Sequence, residues 1–277
     1  MTASKHLHDE STSLDSTATL MNRISSQLAS QLSLVSLDGR RRATQPPLVV
    51  VAHGSRDPRA LSTVRGLLQR VREARPGLDV RLGHIELNAP LLPDTLAELD
   101  SDEAVLVPLL LSRGYHVKRD IPEMAAGSGV RARVADALGP HPYLVEALRD
   151  RLDEAGWGRT PGTAVVLAAA GSRDPESRTD TGRTASLLSE RLGVPVLTAY
   201  ASTAGPTVPE AVERLRSLGH RRIAVASYFT APGRFATECA AQAPWIVSAP
   251  LGTHPAMARL LLHRYDRCLP DRMNAAA

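Results

Sequence analysis

His53, Glu86 and His116 each fall where a short apolar run gives way to a loop. Leu48-Val49-Val50-Val51-Ala52 precedes His53, and its β-branched centre predicts a buried strand. Gly54 then lets the backbone turn and come close to a ligand, while Ser55 can cap the helix that follows. Asp79 to Leu87 reads as a second strand ending at Glu86. Ala104 to Leu111 reads as a third, followed by the loop Ser112-Arg113-Gly114-Tyr115-His116. In an open parallel sheet, ligands collect at the carboxyl ends of strands. Adjacent strands lie about 4.8 Å apart, so the three side chains are expected to converge. Two imidazoles and a carboxylate suit a first-row divalent metal with open coordination positions. A single strand-end histidine is equally explained by a bond to a neighbouring carbonyl. A hydrolase using Ser55 and His116 competes with the metal reading, although the chain lacks a Gly-x-Ser-x-Gly elbow there.

The elements that must position these groups alternate between strand and helix. Ala60 to Ala74 places Leu61, Val64, Leu67, Leu68 and Val71 on one helical face, and Pro76-Gly77 stops it. Pro93 to Leu99 and Lys118 to Ala126 read as helices, Val130 to Ala137 as a fourth strand, and Pro142 to Ala155 as a closing helix. Pro108 inside the third strand predicts a bulge or a sheet edge. This alternation predicts a mainly parallel sheet with helices on both faces.

After a linker at Gly156–Gly162 the pattern begins again. Gly54-Ser55-Arg56-Asp57-Pro58 returns as Gly171-Ser172-Arg173-Asp174-Pro175, 117 residues on. The Pro93–Leu99 segment returns at Pro209–Leu215, 116 residues on, and Leu138-Gly139-Pro140-His141-Pro142 returns as Leu251-Gly252-Thr253-His254-Pro255, 113 on. Three matches at nearly one offset imply a duplicated α/β domain, with boundaries expected at 47–158 and 162–270. The copies are not equivalent. Ala170 stands where His53 does, Phe235 falls opposite His116, and Ala199-Tyr200-Ala201-Ser202 offers no acid opposite Glu86. The turns survive and the three candidate ligands do not, which favours chemistry over structure for His53, Glu86 and His116. His141 and His254 repeat in both halves and read as structural or as substrate-side loop groups. His84, His6, His8, His220 and His263 read as ordinary, and Trp157 and Trp245 as packing residues.

Composition narrows the function classes. The chain has 277 residues, 43% hydrophobic and only 3% aromatic, so its core must be Leu, Val and Ala. So few aromatics disfavour a single-stranded nucleic-acid platform. A net charge of +4 suits a small polyanion as well as it suits nucleic acid, and no block of Lys and Arg is long enough to force the second choice. Cys239 and Cys268 are not spaced as a zinc pair, and the polar start lacks a secretory signal; a cytoplasmic protein with incidental thiols is expected. No apolar run is long enough to span a membrane. Residues 1–46, rich in Ser, Thr and Gln, are expected to be a disordered extension, with a short surface helix between Met21 and Leu37 and a second possible start at Met21.

His53-Gly54-Ser55, Glu86, and Gly114-Tyr115-His116-Val117-Lys118-Arg119-Asp120-Ile121-Pro122 together resemble the sirohydrochlorin chelatases (CbiX/SirB), a family of class II tetrapyrrole chelatases. Through the repeat, the resemblance covers roughly residues 48–268. It implies two tandem, similar three-layer domains of chelatase-like, flavodoxin-like topology around a cleft. The implied reaction is ATP-independent insertion of Fe²⁺ or Co²⁺ into sirohydrochlorin for siroheme or cobalamin, with the metal as substrate and no organic cofactor. His53 and His116 match the metal-binding histidines, and Glu86 an acid that assists them. Ser55, Arg56, Arg113, Gly114, Tyr115 and Lys118 would face the polycarboxylate macrocycle, with Arg173 and Arg234 opposite. A carrier of metal or tetrapyrrole without turnover is the alternative. The duplication would let a monomer suffice, and neither a nucleic-acid nor a membrane partner is expected.

Overall fold

Strand β1, Leu48–Ala52, is buried along its whole length. Its side chains alternate between two apolar layers, as a strand's must. Leu48, Val50 and Ala52 enter the main core, while Val49 and Val51 enter a smaller cluster on the other face. The computed structural model describes residues 45–202 and 205–270. The extension expected over 1–46, with its helix at 21–37, lies outside the described residues but for its last two. His6 and His8 lie outside them too.

β1 pairs in parallel with β2 (Val80–His84) and β3 (Glu103–Pro108), and β3 pairs with β4 (Arg131–Val134), giving the order β2-β1-β3-β4. A second parallel sheet has β5 (Thr163–Ala169) between β6 (Val196–Tyr200) and β7 (Arg222–Tyr228). A lone bridge between Val225 and Val247 stands where a fourth strand would be. Pro108 makes neither a bulge nor an edge: it is the last residue of an inner strand. Leu109 N–H bonds back to Val51 O, and the last β4 residue lies opposite Leu106, so no β4 carbonyl waits for an N–H at position 108.

The first sheet is covered on one face by α1 (Pro58–Ala74) and on the other by α2 (Leu92–Ala97) and α3 (Ile121–Ala126). In the second sheet α5 (Pro175–Leu192) matches α1, and α6 (Val208–Ser217) and α7 (Arg234–Ala241) match the outer pair. The closing helices, α4 (Pro142–Glu154) and α8 (Pro255–Arg267), are exchanged. α4 lies against α5 and β7 of the second half, and α8 against α1 and β3 of the first. One apolar core therefore runs through both halves.

This exchange explains the third repeat. Arg151 of α4 donates to Leu251 O at 3.1 Å, and Arg264 of α8 donates to Leu138 O at 3.0 Å. His141 and His254 each accept a backbone N–H two residues on, from Tyr143 (3.1 Å) and Ala256 (3.2 Å), and so cap the two helices. Glu146 and Arg259, equivalent positions 113 residues apart, form an ion pair across the helix crossing. The repeated histidines are structural. Trp157 is buried as expected, whereas Trp245 is 42% exposed beneath the Arg222 guanidinium.

Candidate active site

The first repeat has a structural explanation that leaves the histidine out. In both halves the Ser Oγ accepts the Asp N–H at 3.1 Å, and the Asp carboxylate accepts the first-turn N–H of Arg59 or Glu176 at 2.9 Å. Gly54 and Gly171 take positive φ, +103° and +89°, where a side chain is strained. Asp, not Ser, is thus the helix cap. The five-residue motif starts a helix, so it survives in both halves. The residue before it is free to differ.

In the first half that residue is His53. The β1–β2 ladder runs on past the strands, with Ile85 N–H donating to Ala52 O and Glu86 N–H to His53 O (2.9 and 3.0 Å). This brings Glu86 Oε1 to 3.6 Å from His53 Nε2. The approach depends on Gly54, since a Cβ there would stand 1.9 Å from Glu86 O. Asn88 fixes the same loop by accepting the Ser55 N–H at 2.7 Å.

His116 opens a π-helical turn, His116–Asp120, that runs into α3. Pro122 has no N–H for the Lys118 carbonyl, and Ile121 N–H bonds back five residues to His116 O. The turn sets the His116 ring edge-to-face with His53, with centroids 4.7 Å apart and planes at 89°. The two imidazoles are 41% and 39% exposed, on view at the strand ends and not in the core. Asp120 Oδ2 lies 2.5 Å from His116 Nδ1. A carboxylate facing Nδ1 favours the tautomer with its proton on Nδ1, which leaves Nε2 of a neutral ring as the nitrogen able to bind a cation. Tyr115, 64% exposed, flanks the pair. Of the three expected ligands, the structure brings together His53 with His116 and His53 with Glu86. Among the described residues no three His, Cys, Asp or Glu side chains form a closed metal-holding group. The expected convergence on one point is therefore present only as two pairwise contacts. Asp120 was missing from the expected site, and its signal was the i, i+4 spacing from His116.

The cations divide differently from expectation. Arg113 holds Asp180 with two N–H groups (2.7 and 2.9 Å), its backbone N–H reaches the same carboxylate, and it also bonds Glu176 at 2.9 Å. Lys118 bonds Asp174 at 2.6 Å and pairs with Glu176. All three acids lie in the second half. Asp180 is fully buried; burial pushes its pKa up, but the Arg113 hydrogen bonds outweigh this and leave it below the ordinary value. Arg113 and Lys118, read from sequence as facing a ligand's carboxylates, have their charged ends on protein carboxylates and stay 40% exposed. The signal was the absence of two of these acids from the first copy, where Arg59 and Thr63 match Glu176 and Asp180.

Across the halves the loops approach closely. A Cβ on Gly114 would lie 3.7 Å from Ser172 Oγ, and one on Gly233 3.9 Å from Ser55 Oγ. Arg56 and Arg173 on these loops are exposed and have no hydrogen-bond or ion-pair partner among the described residues. Arg234 lies over the Phe235 ring at 4.6 Å, with Glu238 3.8 Å away. His84 is buried with Nδ1 on Pro90 O, and burial lowers its pKa. A cavity of about 510 Å³ beside α4 and the start of α8, lined by residues including Arg70, Asp150 and His254, contains none of the expected site residues.

Among the described residues no helix is long and apolar enough to cross a membrane. The chain is similar to a sirohydrochlorin ferrochelatase of Priestia megaterium, 24% identical over 247 residues that span 82% of this chain and 92% of the relative. A sirohydrochlorin cobaltochelatase of Methanopyrus kandleri is 38% identical over 136 residues, covering 39% of this chain and 95% of that one. The solved structure of SirB from Bacillus subtilis with Fe³⁺ shares the fold, with a TM-score of 0.68 at 23% identity over 81% of this chain and 95% of that one. The family model described as CbiX matches twice, over residues 47–155 and 164–268, once for each sheet and its helices, and the chain belongs to the CbiX family.

Proposed function

We propose that the protein is a sirohydrochlorin chelatase that inserts a divalent first-row metal, Fe²⁺ or Co²⁺, into the macrocycle without ATP. One observation carries the reading: His53 and His116 meet edge-to-face at two strand ends of one half, beside Glu86. The equivalent places in the other half hold Ala170 and Phe235. The names of the relatives supply the substrate class. Neutral imidazole and carboxylate ligands bind such cations and release them again. Insertion exchanges two pyrrole protons for one M²⁺. In this reading His53 and His116 hold the ion, one imidazole takes a proton as its metal bond breaks, and Glu86, 54% exposed, passes protons to water. Arg56 and Arg173, which have no partners in the described protein, are the cations available to the macrocycle's carboxylates. Ser55, Gly114 and Tyr115 line the same loops.

The test is an anaerobic visible-absorbance assay with sirohydrochlorin, Fe²⁺ or Co²⁺, and no nucleotide. Wild type is expected to convert the macrocycle. His53→Ala is expected to lose at least about 10²-fold in rate while still binding sirohydrochlorin, the order expected when a positioned acid-base group is lost. Wild type that binds metal and macrocycle without converting them would make the protein a carrier. Full activity in His53→Ala would refute the site.

A further inference from the structure

We propose that Asp120 is the positioning residue of His116, fixing the ring and its tautomer so that Nε2 stays unprotonated for a cation. This rests on His116 being a metal ligand, as proposed above. Three observations carry it.

The first is geometric. Asp120 Oδ2 sits 2.5 Å from Nδ1 on the same π-helical turn, within hydrogen-bond reach of that one ring nitrogen. The second concerns what Asp120 does not do. It lies within the continuous run of the π-turn into α3, with helical φ −60° and ψ −48°, and its side chain makes no bond to the backbone there. Its carboxylate has no other hydrogen-bond or ion-pair partner among the described residues, and the adjacent Lys118 is held by the second half. The third comes from the duplication. Asp57 and Asp174, which do cap helices, are kept in both halves. At the spacing that sets Phe235 opposite His116, Cys239 falls opposite Asp120. The imidazole and its carboxylate are absent together, as a pair acting through one ring would be.

Carboxylates behind a ligating histidine are worth about 10–100-fold in metal affinity or activity. The test uses the full chain with Co²⁺ as the probe, read by its visible absorbance, and ¹⁵N NMR of the imidazole nitrogens. In wild type the His116 signals should report a proton on Nδ1. Asp120→Ala should mix the two tautomers and weaken Co²⁺ binding about 10–100-fold, with sirohydrochlorin affinity unchanged. Asp120→Asn keeps an acceptor of the same shape without the charge, and should recover part of the loss. It also serves if the Ala variant does not fold. Unchanged tautomer and Co²⁺ affinity in either folded variant would overturn the proposal. So would a parallel loss of sirohydrochlorin binding, which would make Asp120 a general prop for the turn. If wild type inserts no metal, the chelatase reading fails, while the NMR and Co²⁺ measurements still decide the role of Asp120.

Discussion

Replacing Gly54 by Ala tests the placement of Glu86 beside His53 most directly. Two costs are expected. The first is backbone strain: φ is +103° at this residue, and a non-glycine in a sparsely populated region costs about 1–3 kcal/mol. The second is collision. The new Cβ would start 1.9 Å from Glu86 O where about 3 Å is needed, so one backbone segment must give by about 1 Å. Forcing such a shift in a packed region costs about 1–3 kcal/mol more. Gly156 separates the two effects, since its φ is +82° but a Cβ added there would have nothing within 4 Å. Gly156→Ala carries the strain without the collision. Gly54→Ala should therefore be less stable than Gly156→Ala by about 1–3 kcal/mol, or roughly 3–10 °C in Tm for a chain of this size. The displaced backbone is that of Glu86, and misplacing a functional group by about 1 Å can cost about 10²-fold in rate. Metal insertion should fall by that order in Gly54→Ala and remain at the wild-type level in Gly156→Ala. Thermal melts read the first difference and the absorbance assay the second. Equal melting temperatures with full insertion by Gly54→Ala would refute the close approach and the role given to Glu86.

Asp180→Asn should cost about 2–4 kcal/mol in urea unfolding, below the usual range for a broken buried pair because Arg113 is partly open to water. Because the Asp180 pKa is held below the ordinary value, its contribution is present above about pH 4 and is lost as pH falls through the depressed value. The variant should flatten that acid limb, and an unchanged limb would count against the ion latch. His141 has the opposite chemistry. Burial, with Arg264 and His263 nearby, lowers its pKa to about 4. The folded protein keeps it neutral while the unfolded chain protonates near pH 6.5, so stability is complete above about pH 6.5 and declines towards pH 4. His141→Asn keeps a capping acceptor and should remove that slope between urea midpoints at about pH 7.5 and pH 5.

What the sequence revealed was mostly local. Leu48 to Val51 could only be a buried strand, and the apolar spacing from Ala60 to Val71 marked the buried face of α1. The duplication was visible because capping motifs recur with little tolerance for change. The paired histidines were legible from their place after strands, and the edge-to-face contact agrees with that placement. Interactions between distant segments were not legible. Arg113 and Asp180 are 67 residues apart, and a basic residue beside a candidate site looks the same in sequence whether it awaits a ligand or is already paired. The exchange of α4 and α8 was hidden for a related reason: an amphipathic helix shows that it must be covered, not which sheet covers it. Pro108 misled because the rule about proline in strands depends on whether the neighbouring strand reaches that far.

The ion latch and the histidine pair share a requirement that covalent duplication meets. An assembly of two identical chains repeats every contact about its twofold axis, so a latch residue placed for one copy stands in the other as well. Here Glu176 and Asp180 stand on α5 where α1 has Arg59 and Thr63, and Pro232 stands where the first half has Arg113. Glu176 and Asp180 can therefore grip Arg113 and Lys118 on one side with no acidic counterpart on the other, where Asp57, the match of Asp174, is held by Arg59 and Arg56 has no partner among the described residues. On this account the second half contributes by holding the loop that carries Gly114 to His116, and its loss of ligands follows from that division of work. Introducing acids into the first half, as Arg59→Glu with Thr63→Asp, should then leave the fold intact and lower the affinity for sirohydrochlorin, measured by absorbance at fixed ionic strength. An unchanged or higher affinity would show that the side bearing Arg56 is not where the polyanion is received.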